Sequence, residues 1–197
     1  THMFMHGDIS HIFFNMFGLW MFGTPLEQMW GKQKFIFFYL STGLGAAALQ
    51  LLLYYYQVDS VNSILSEFGL TAPQIDSFYQ TAELPTAAIN EIGEGKLSGA
   101  FNAFRSVMVG ASGALYGVLV GFAMIFPNAQ LMLLFPPIPV KAKFLVPILI
   151  FADLFFGFSS YSIGPIAHFA HVGGAITGLA MMWYWKKKEN NNNRWDL

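Results

Sequence analysis

Uncharged hydrophobic runs of membrane-spanning length alternate with polar connections along this chain. Three runs have about the ~20 residues that are needed to cross a bilayer core, namely 35–56, 107–126 and 166–185. Two shorter runs, 9–23 and 144–158, are also strongly apolar. The pattern predicts five membrane spans, and therefore an all-α fold, a polytopic transmembrane helix bundle.

Composition supports a membrane protein and excludes several other classes. Of 197 residues, 55% are hydrophobic and 11% are charged, and 21 are phenylalanine. A net charge of −1, from 10 basic and 11 acidic residues, gives no electrostatic footprint for nucleic acid. The absence of cysteine excludes disulfides, a thiolate nucleophile and cysteine metal ligands. The lipid bilayer is thus the first partner that the sequence indicates.

The polar segments divide the chain into a membrane domain and a tail. Residues 1–185 are expected to form the transmembrane domain, in which an acidic polar outer loop, 57–104, carries short amphipathic helices such as one around 61–70. Residues 186–197, a lysine cluster followed by an asparagine run, are expected to be a polar cytoplasmic tail. Because the chain starts at Thr1 rather than at methionine, we expect a fragment that lacks an upstream segment.

Lysine placement predicts the orientation of the chain in the membrane. In chain order, lysines follow the first run (9–23), precede the fourth (144–158) and follow the fifth (166–185). They are Lys32, Lys34, Lys141, Lys143, Lys186, Lys187 and Lys188. Alternating crossings place all of them on one side, which should be the cytoplasm. The sequence therefore predicts a multi-pass integral membrane protein, expected in a bacterial inner membrane, whose polar intramembrane residues lie toward the outer face.

Those polar residues fall in the outer halves of the first, third and fifth runs. His11 and Asn15 are separated by four residues and share one helix face, Ser112 lies in the third run, and His168 and His171 lie in the fifth. Polar groups in hydrocarbon are costly and tend to face the interior of a bundle. Three clusters at one depth predict a single site.

Small residues repeat at helical spacing beside Ser112 and His171. The two stripes are Gly113, Gly117 and Gly121, and His171, Gly174 and Gly178. Such stripes let two membrane helices approach closely. Packing stripe on stripe would bring the serine hydroxyl within ~3 Å of an imidazole, the distance that a general base requires. Ser112 is therefore a candidate nucleophile.

Three motifs in this order resemble the rhomboid family of intramembrane serine proteases. They are HMFMHGDISHIFFNMFGLWMFGTPLEQMWG, GASGALYG and AHFAHVGGAITG, each at the start of a membrane segment. The resemblance implies a core of six spans, of which five are predicted here. It also implies a serine–histidine dyad without an acidic third member, and substrates that are transmembrane proteins cut in or near the bilayer.

The resemblance assigns roles to particular residues. It implies Ser112 as nucleophile, His171 as general base and Tyr116 as the ring that packs against the imidazole. It implies an oxyanion hole made by the side chains of His11 and Asn15 and by backbone N–H groups around Gly110 and Ser112. The supporting small residues are Gly113, Gly117, Gly174 and Gly178. No metal and no cofactor is expected.

Two other functions fit parts of the pattern. A catalytically inactive relative would bind membrane clients without cutting them. A metal transporter would use imidazole ligands, for which the candidates are His6, His11, His168 and His171. Asp153, a single carboxylate in an apolar run, is interpreted as a structural residue that bonds a neighbour, with gating as the alternative. The sequence indicates no oligomeric state.

Overall fold

The computed structural model describes residues 2–132, 138–158 and 167–191, with side chains to residue 188, and most of this length is helical. The helices are α1 (Ile9–Gly18), α2 (Thr24–Trp30), α3 (Lys32–Glu67), α4 (Ala72–Thr81), α5 (Thr86–Ile92), α6 (Glu94–Arg105), α7 (Ser112–Ile125), α8 (Ala142–Phe158) and α9 (His168–Asn191). Strands β1 (Gln130–Met132) and β2 (Pro139–Lys141) pair antiparallel. The predicted all-α bundle is confirmed.

The chain divides into two compact units. The bundle unit comprises residues 1–49 and 108–197, and the connecting unit comprises residues 50–107. The division falls within α3, so this helix contributes residues to both units.

The bundle unit has an apolar exterior as well as an apolar core. Leu26, Phe38 and Val118 are fully buried. Large apolar side chains are also exposed around this unit, among them Phe13, Phe37, Phe144, Phe151 and Trp183. Exposed apolar side chains in this number suit contact with lipid. Among the described residues, α3 is the one helix that is long and apolar enough to cross a membrane by itself, and α7 is a shorter apolar helix.

The first predicted span, 9–23, begins as an α-helix and ends in a π-helical turn. This turn, Leu19–Gly23, connects α1 directly to α2. Pro25 lies at the start of α2 and has no backbone N–H to donate to the preceding turn. Gly31, with a φ of 78°, ends α2, and its N–H donates to the Glu27 carbonyl oxygen at 2.8 Å. A left-handed residue at this position is what lets the chain turn into α3.

The predicted glycine stripes of α7 and α9 lie against each other. A Cβ added to Gly174 would overlap the carbonyl oxygen of Gly113, and a Cβ added to Gly178 would lie 2.9 Å from the Cα of Gly117. Gly121 does not contact α9, because a Cβ on Gly121 would instead meet the side chain of Leu26. The predicted contact between the helices that carry Ser112 and His171 is therefore confirmed over two helical turns.

The same α7 glycines also allow α3 to approach. A Cβ on Gly113 would lie 2.6 Å from the Cβ of Ala46, and one on Gly117 would overlap Thr42. The buried Thr42 hydroxyl donates to the Ala114 carbonyl oxygen at 3.3 Å, in addition to the Tyr39 carbonyl oxygen at 3.0 Å. Three helices thus meet with backbone close to backbone, which is how small residues stabilise membrane bundles.

The third predicted span begins later than the hydrophobic pattern indicates. The expected helix 107–126 starts at Ser112, and residues 107–110 lie outside any helix. Gly110 has a φ of 113°, a conformation that glycine tolerates and that interrupts helical geometry. Ser112 therefore occupies the first turn of its helix rather than the interior.

The predicted outer loop 57–104 is largely helical and has a core of its own. α3 continues to Glu67, so the expected helix around 61–70 is for the most part the end of α3 and not a separate element. Val61 and Leu65, four residues apart on one face, are buried with Ile75, Phe78 and Leu97 in the connecting unit.

The end of the chain shows no break at the expected domain boundary. α9 continues past residue 185 to Asn191, so the first part of the predicted tail 186–197 is helical. Residues 192–197 lie outside the described part of the chain.

Candidate active site

Ser112 and His171 meet at the beginnings of α7 and α9. The Ser112 Oγ lies 2.8 Å from the His171 Nε2, within hydrogen-bond distance. Ser112 is the first residue of α7, and His171 lies in the first turn of α9. The predicted approach of hydroxyl to imidazole is therefore confirmed. This pair has the geometry of a nucleophile and its general base.

Tyr116 covers one face of the His171 ring. The two ring centroids are 4.3 Å apart and the ring planes are inclined by 8°, so the rings stack in parallel. Tyr116 lies one turn after Ser112 on α7, which places the serine and the stacked ring on the same side of the helix. The imidazole is thereby held in the orientation that points its Nε2 at the serine.

The carboxylate of Asp153, on α8, contacts both site histidines. Its Oδ1 is 3.1 Å from the Nδ1 of His171 and 2.6 Å from the Nδ1 of His168. This carboxyl group is buried. The interpretation that Asp153 bonds a neighbour is confirmed, but the sequence did not show that its neighbours are the site histidines. The only signal was a lone carboxylate in an apolar run.

His11 places a hydrogen-bond donor close to Gly110, near Ser112. Its Nδ1 accepts the backbone N–H of Gly7 at 3.3 Å, so the neutral ring carries its proton on Nε2. A Cβ built on Gly110 would lie 2.7 Å from this Nε2 and 3.8 Å from the Ser112 Oγ. The His11 Nε2 therefore lies next to Gly110, close to Ser112. Any side chain on residue 110 would occupy the space beside this nitrogen.

Asn15 is buried one turn below His11 on α1. Its Nδ2 donates to the His11 carbonyl oxygen at 2.9 Å. An amide nitrogen carries two hydrogens, so this bond engages one and leaves the other for a second acceptor. The predicted sharing of one face by His11 and Asn15 is confirmed, because both lie in α1 four residues apart.

The Gly110 N–H does not have the role of oxyanion-hole donor that the resemblance implied. It donates to the His2 carbonyl oxygen at 3.0 Å, so in this arrangement it is not free to bind an oxyanion. The expectation for this N–H is corrected. The first intrahelical bond of α7 runs from the Leu115 N–H to the Ala111 carbonyl oxygen. The N–H groups of the first turn, beginning with that of Ser112, lack intrahelical partners and form the positive end of the helix dipole.

Asp8 is a supporting residue that the sequence reasoning missed. As the N-cap of α1, its carboxylate accepts the backbone N–H of His11 at 2.8 Å and the Ser10 hydroxyl at 2.5 Å. These two hydrogen bonds, the one from Ser10 first, hold the pKa of Asp8 below its usual range. An aspartate at the start of an apolar helical run is a typical N-cap signal, and here it fixes the turn that carries His11.

The four histidines of the metal-transporter alternative do not converge. His6 and His11 contact each other edge to face, with ring centroids 5.1 Å apart, whereas His168 and His171 both bond Asp153. Within the part of the chain that the structure describes, no group of three histidine, aspartate or glutamate side chains could hold a metal ion.

Comparison with known proteins identifies similar chains. The family model described as "Rhomboid domain" matches residues 1–69 and 85–188. Rhomboid protein 1, mitochondrial, of Saccharomyces cerevisiae is 25% identical over 93% of this chain and 40% of its own length. RHOMBOID-like protein 12, mitochondrial, of Arabidopsis thaliana is 31% identical over 93% of this chain and 44% of its own length. Rhomboid protease GluP of Bacillus subtilis is 39% identical over 22% of this chain and 9% of its own length.

These matches establish a family and bear on one expectation. The chain spans about two-fifths of the length of the two mitochondrial relatives. Their mitochondrial names do not fit the expected bacterial inner membrane. No solved structure matches the chain significantly. Because the family model covers most of the chain, this protein belongs to the rhomboid family of integral membrane proteins.

Proposed function

We propose that this protein is an intramembrane serine protease that cleaves transmembrane proteins in or near the bilayer. The observation that carries the proposal is the 2.8 Å contact between the Ser112 Oγ and the His171 Nε2. A serine hydroxyl is a weak nucleophile unless a base removes its proton, and this contact supplies the base.

The first half of the reaction forms an acyl-enzyme. As the Ser112 Oγ attacks the carbonyl carbon of the substrate peptide, its proton passes to the His171 Nε2 and the carbonyl oxygen becomes negatively charged. The His171 Nε2 then gives that proton to the peptide nitrogen as the C–N bond breaks. The amine product leaves, and the rest of the substrate remains esterified to Ser112.

The second half of the reaction returns the enzyme to its initial state. Water attacks the ester while His171 accepts one of its protons, and His171 then returns a proton to the Ser112 Oγ as the acid product leaves. Because polar groups at membrane depth are tolerated where they line a water-filled cavity, the proposal requires such a cavity to lead water to Ser112.

The oxyanion is stabilised from three directions in this proposal. His11 offers its Nε2–H, Asn15 its second amide N–H, and α7 the N–H of Ser112, which has no partner within the helix and lies at its positive end. In other proteases, the removal of one such donor costs about 2.7–4 kcal/mol of transition-state stabilisation. The donors are positioned before the charge develops, so they need little reorganisation.

Inhibitor sensitivity separates this function from the metal-transporter alternative and from an inactive relative. We expect a serine-reactive fluorophosphonate to label the purified protein in detergent and to abolish cleavage of a transmembrane reporter protein, because the His171 base activates Ser112. A chelator such as EDTA should change neither result. Chelator sensitivity without fluorophosphonate labelling would instead support metal chemistry, and the absence of both labelling and cleavage would support an inactive relative.

We also propose that the site lies in the half of the membrane opposite the lysine-rich side. In a chain that lacks cysteine, single cysteines introduced at Ser66 and Asn191 report on the two sides. An impermeant maleimide should label intact bacterial cells that express the protein only when the cysteine is at position 66. Labelling at position 191 alone would reverse the orientation, and permeabilised cells, in which both positions should react, serve as the control.

A further inference from the structure

One carboxylate oxygen binds both imidazoles at the site. The Asp153 Oδ1 lies 3.1 Å from the Nδ1 of His171 and 2.6 Å from the Nδ1 of His168. Building on the proposed protease function, we infer that Asp153 is a positioning residue for His171, so that the reaction uses a Ser112–His171–Asp153 relay of hydrogen bonds. This departs from the dyad without an acidic member that the resemblance to the family implies.

The hydrogen-bond pattern selects one tautomer of His171. An ionised carboxylate only accepts hydrogen bonds, so the Nδ1 that faces the Asp153 Oδ1 must carry a proton. The neutral ring then has its lone pair on Nε2, 2.8 Å from the Ser112 Oγ. A general base needs this tautomer, because an Nε2 that already holds a proton cannot accept another from the serine.

Asp153 is itself held by a second imidazole, that of His168. His168 donates through its Nδ1, while its Nε2 is buried and has no hydrogen-bond partner among the described residues. On the other partner of this carboxylate, the Tyr116 ring stacks on His171. The imidazole is thus fixed by a stacked ring on its face and by a carboxylate on its edge.

The carboxylate also has a role once the proton has moved. When Ser112 gives its proton to His171, the ring becomes a cation in surroundings that screen charge poorly, with Asp153 3.1 Å from its Nδ1. The ion pair favours the protonated ring that accompanies the tetrahedral intermediate, while Asp153 touches neither the substrate nor the reacting atoms. Its contribution should therefore affect kcat far more than KM.

The decisive variant is Asp153→Asn, which keeps the shape of the side chain and removes its charge. The asparagine amide can present an N–H to the His171 Nδ1, which favours the tautomer with the proton on Nε2. In another serine protease the equivalent exchange lowers kcat by about 10⁴-fold. For Asp153→Asn we expect kcat for a transmembrane reporter to fall by at least ~10²-fold while KM changes by less than about threefold.

Two further variants separate positioning from structural support. Asp76→Asn makes the same chemical change at an exposed position of the connecting unit and should leave kcat unchanged. His168→Phe removes the other imidazole from Asp153 but leaves the bond to His171, so kcat should fall by less than about tenfold, well short of the loss in Asp153→Asn. Equal losses of kcat in His168→Phe and Asp153→Asn would mean that the buried carboxylate supports only the local fold, and would overturn the inference.

A measurement on the unsubstituted protein keeps the inference testable if Asp153→Asn does not fold. The chain has 5 histidines, so ¹⁵N spectra of histidine-labelled protein are tractable, and His171→Gln identifies the His171 signals. We expect the neutral ring of wild-type His171 to carry its proton on Nδ1 and none on Nε2, and a neutral ring with its proton on Nε2 would overturn the inference. If wild-type protein neither cleaves nor reacts with fluorophosphonate, the proposed function fails. If it does both and Asp153→Asn retains its kcat, only the inference fails.

Discussion

Replacing Ser112 with alanine should abolish cleavage while the protein folds and melts as the wild type does. Without the Oγ there is no nucleophile 2.8 Å from the His171 Nε2, so the rate should fall by at least ~10³-fold. The loss leaves a single imidazole nitrogen without its hydroxyl partner at a half-buried position, which should have little effect on thermal stability. The measurements are the cleavage rate of a transmembrane reporter and the melting temperature in detergent.

Ser98→Ala is the matched control for this substitution. Ser98 is exposed on α6 and its hydroxyl only caps the Gly95 carbonyl oxygen at 3.2 Å, so cleavage and melting should both stay at wild-type values. Fluorophosphonate should label the Ser98→Ala protein and not the Ser112→Ala protein. A Ser112→Ala rate of a tenth or more of the wild-type rate would rule out Ser112 as the nucleophile.

Features that depend on helical repeat were predictable from the sequence. The spacing of four residues in both glycine stripes anticipates the contact between α7 and α9, because residues four apart share a helix face. Once two such stripes are in contact, the position of Ser112 beside one and of His171 at the head of the other brings the two side chains together. The approach of His11 and Asn15 follows from the same periodicity within α1.

Features that depend on tertiary contacts were not predictable in this way. Asp153 lies on α8, and its choice of partners depends on how α8 is rotated against α9, which no periodicity in an almost uniformly apolar run specifies. The hydrogen bond from the Gly110 N–H to the His2 carbonyl oxygen joins segments more than a hundred residues apart. Nothing in the sequence around Gly110 indicates that its N–H has this partner.

Helix ends and the connecting unit were also misjudged from hydropathy. Apolarity continues through 107–111, but the positive φ of Gly110 delays α7 until Ser112. Conversely, α3 extends through a polar stretch to Glu67, because Val61 and Leu65 are buried in the core of the connecting unit. In both places backbone conformation or packing overrides the local pattern.

The closest approach between α7 and α9 gives the second large expected effect, at Gly174. The smallest possible side chain there would overlap the Gly113 carbonyl oxygen, which belongs to the backbone and cannot rotate away. Gly174→Ala should therefore force α9 away from α7 at the turn next to Ser112. A displacement of ~1 Å can cost about a hundredfold in rate. Overpacking of a well-packed interface costs about 1–3 kcal/mol in the free energy of unfolding, so the melting temperature should also fall.

Gly178→Val tests the α7–α9 contact one helical turn further along, and Gly117→Val tests the neighbouring contact of α7 with α3. A Cβ on Gly178 would lie 2.9 Å from the Gly117 Cα, and one on Gly117 would overlap Thr42 of α3. Both valine variants should lose activity and stability. Gly178→Ala should be milder than Gly174→Ala, because its Cβ meets the facing backbone at a longer distance.

Gly95 and Gly99 of α6 supply the control that separates packing from helix propensity. A Cβ at either position would have no neighbour within 4 Å, and alanine favours a helix over glycine by about 1 kcal/mol, so Gly95→Ala and Gly99→Ala should keep full cleavage activity and melt no lower than the wild type. The same exchange at Gly174 makes the same local gain in helix propensity, so any loss there must come from the contact with α7. If Gly174→Ala matched the wild type in both cleavage rate and melting temperature, the α7–α9 contact would not be what holds Ser112 against His171. The 2.8 Å hydrogen bond would then have to be maintained by the side chains around the imidazole, Tyr116 and Asp153.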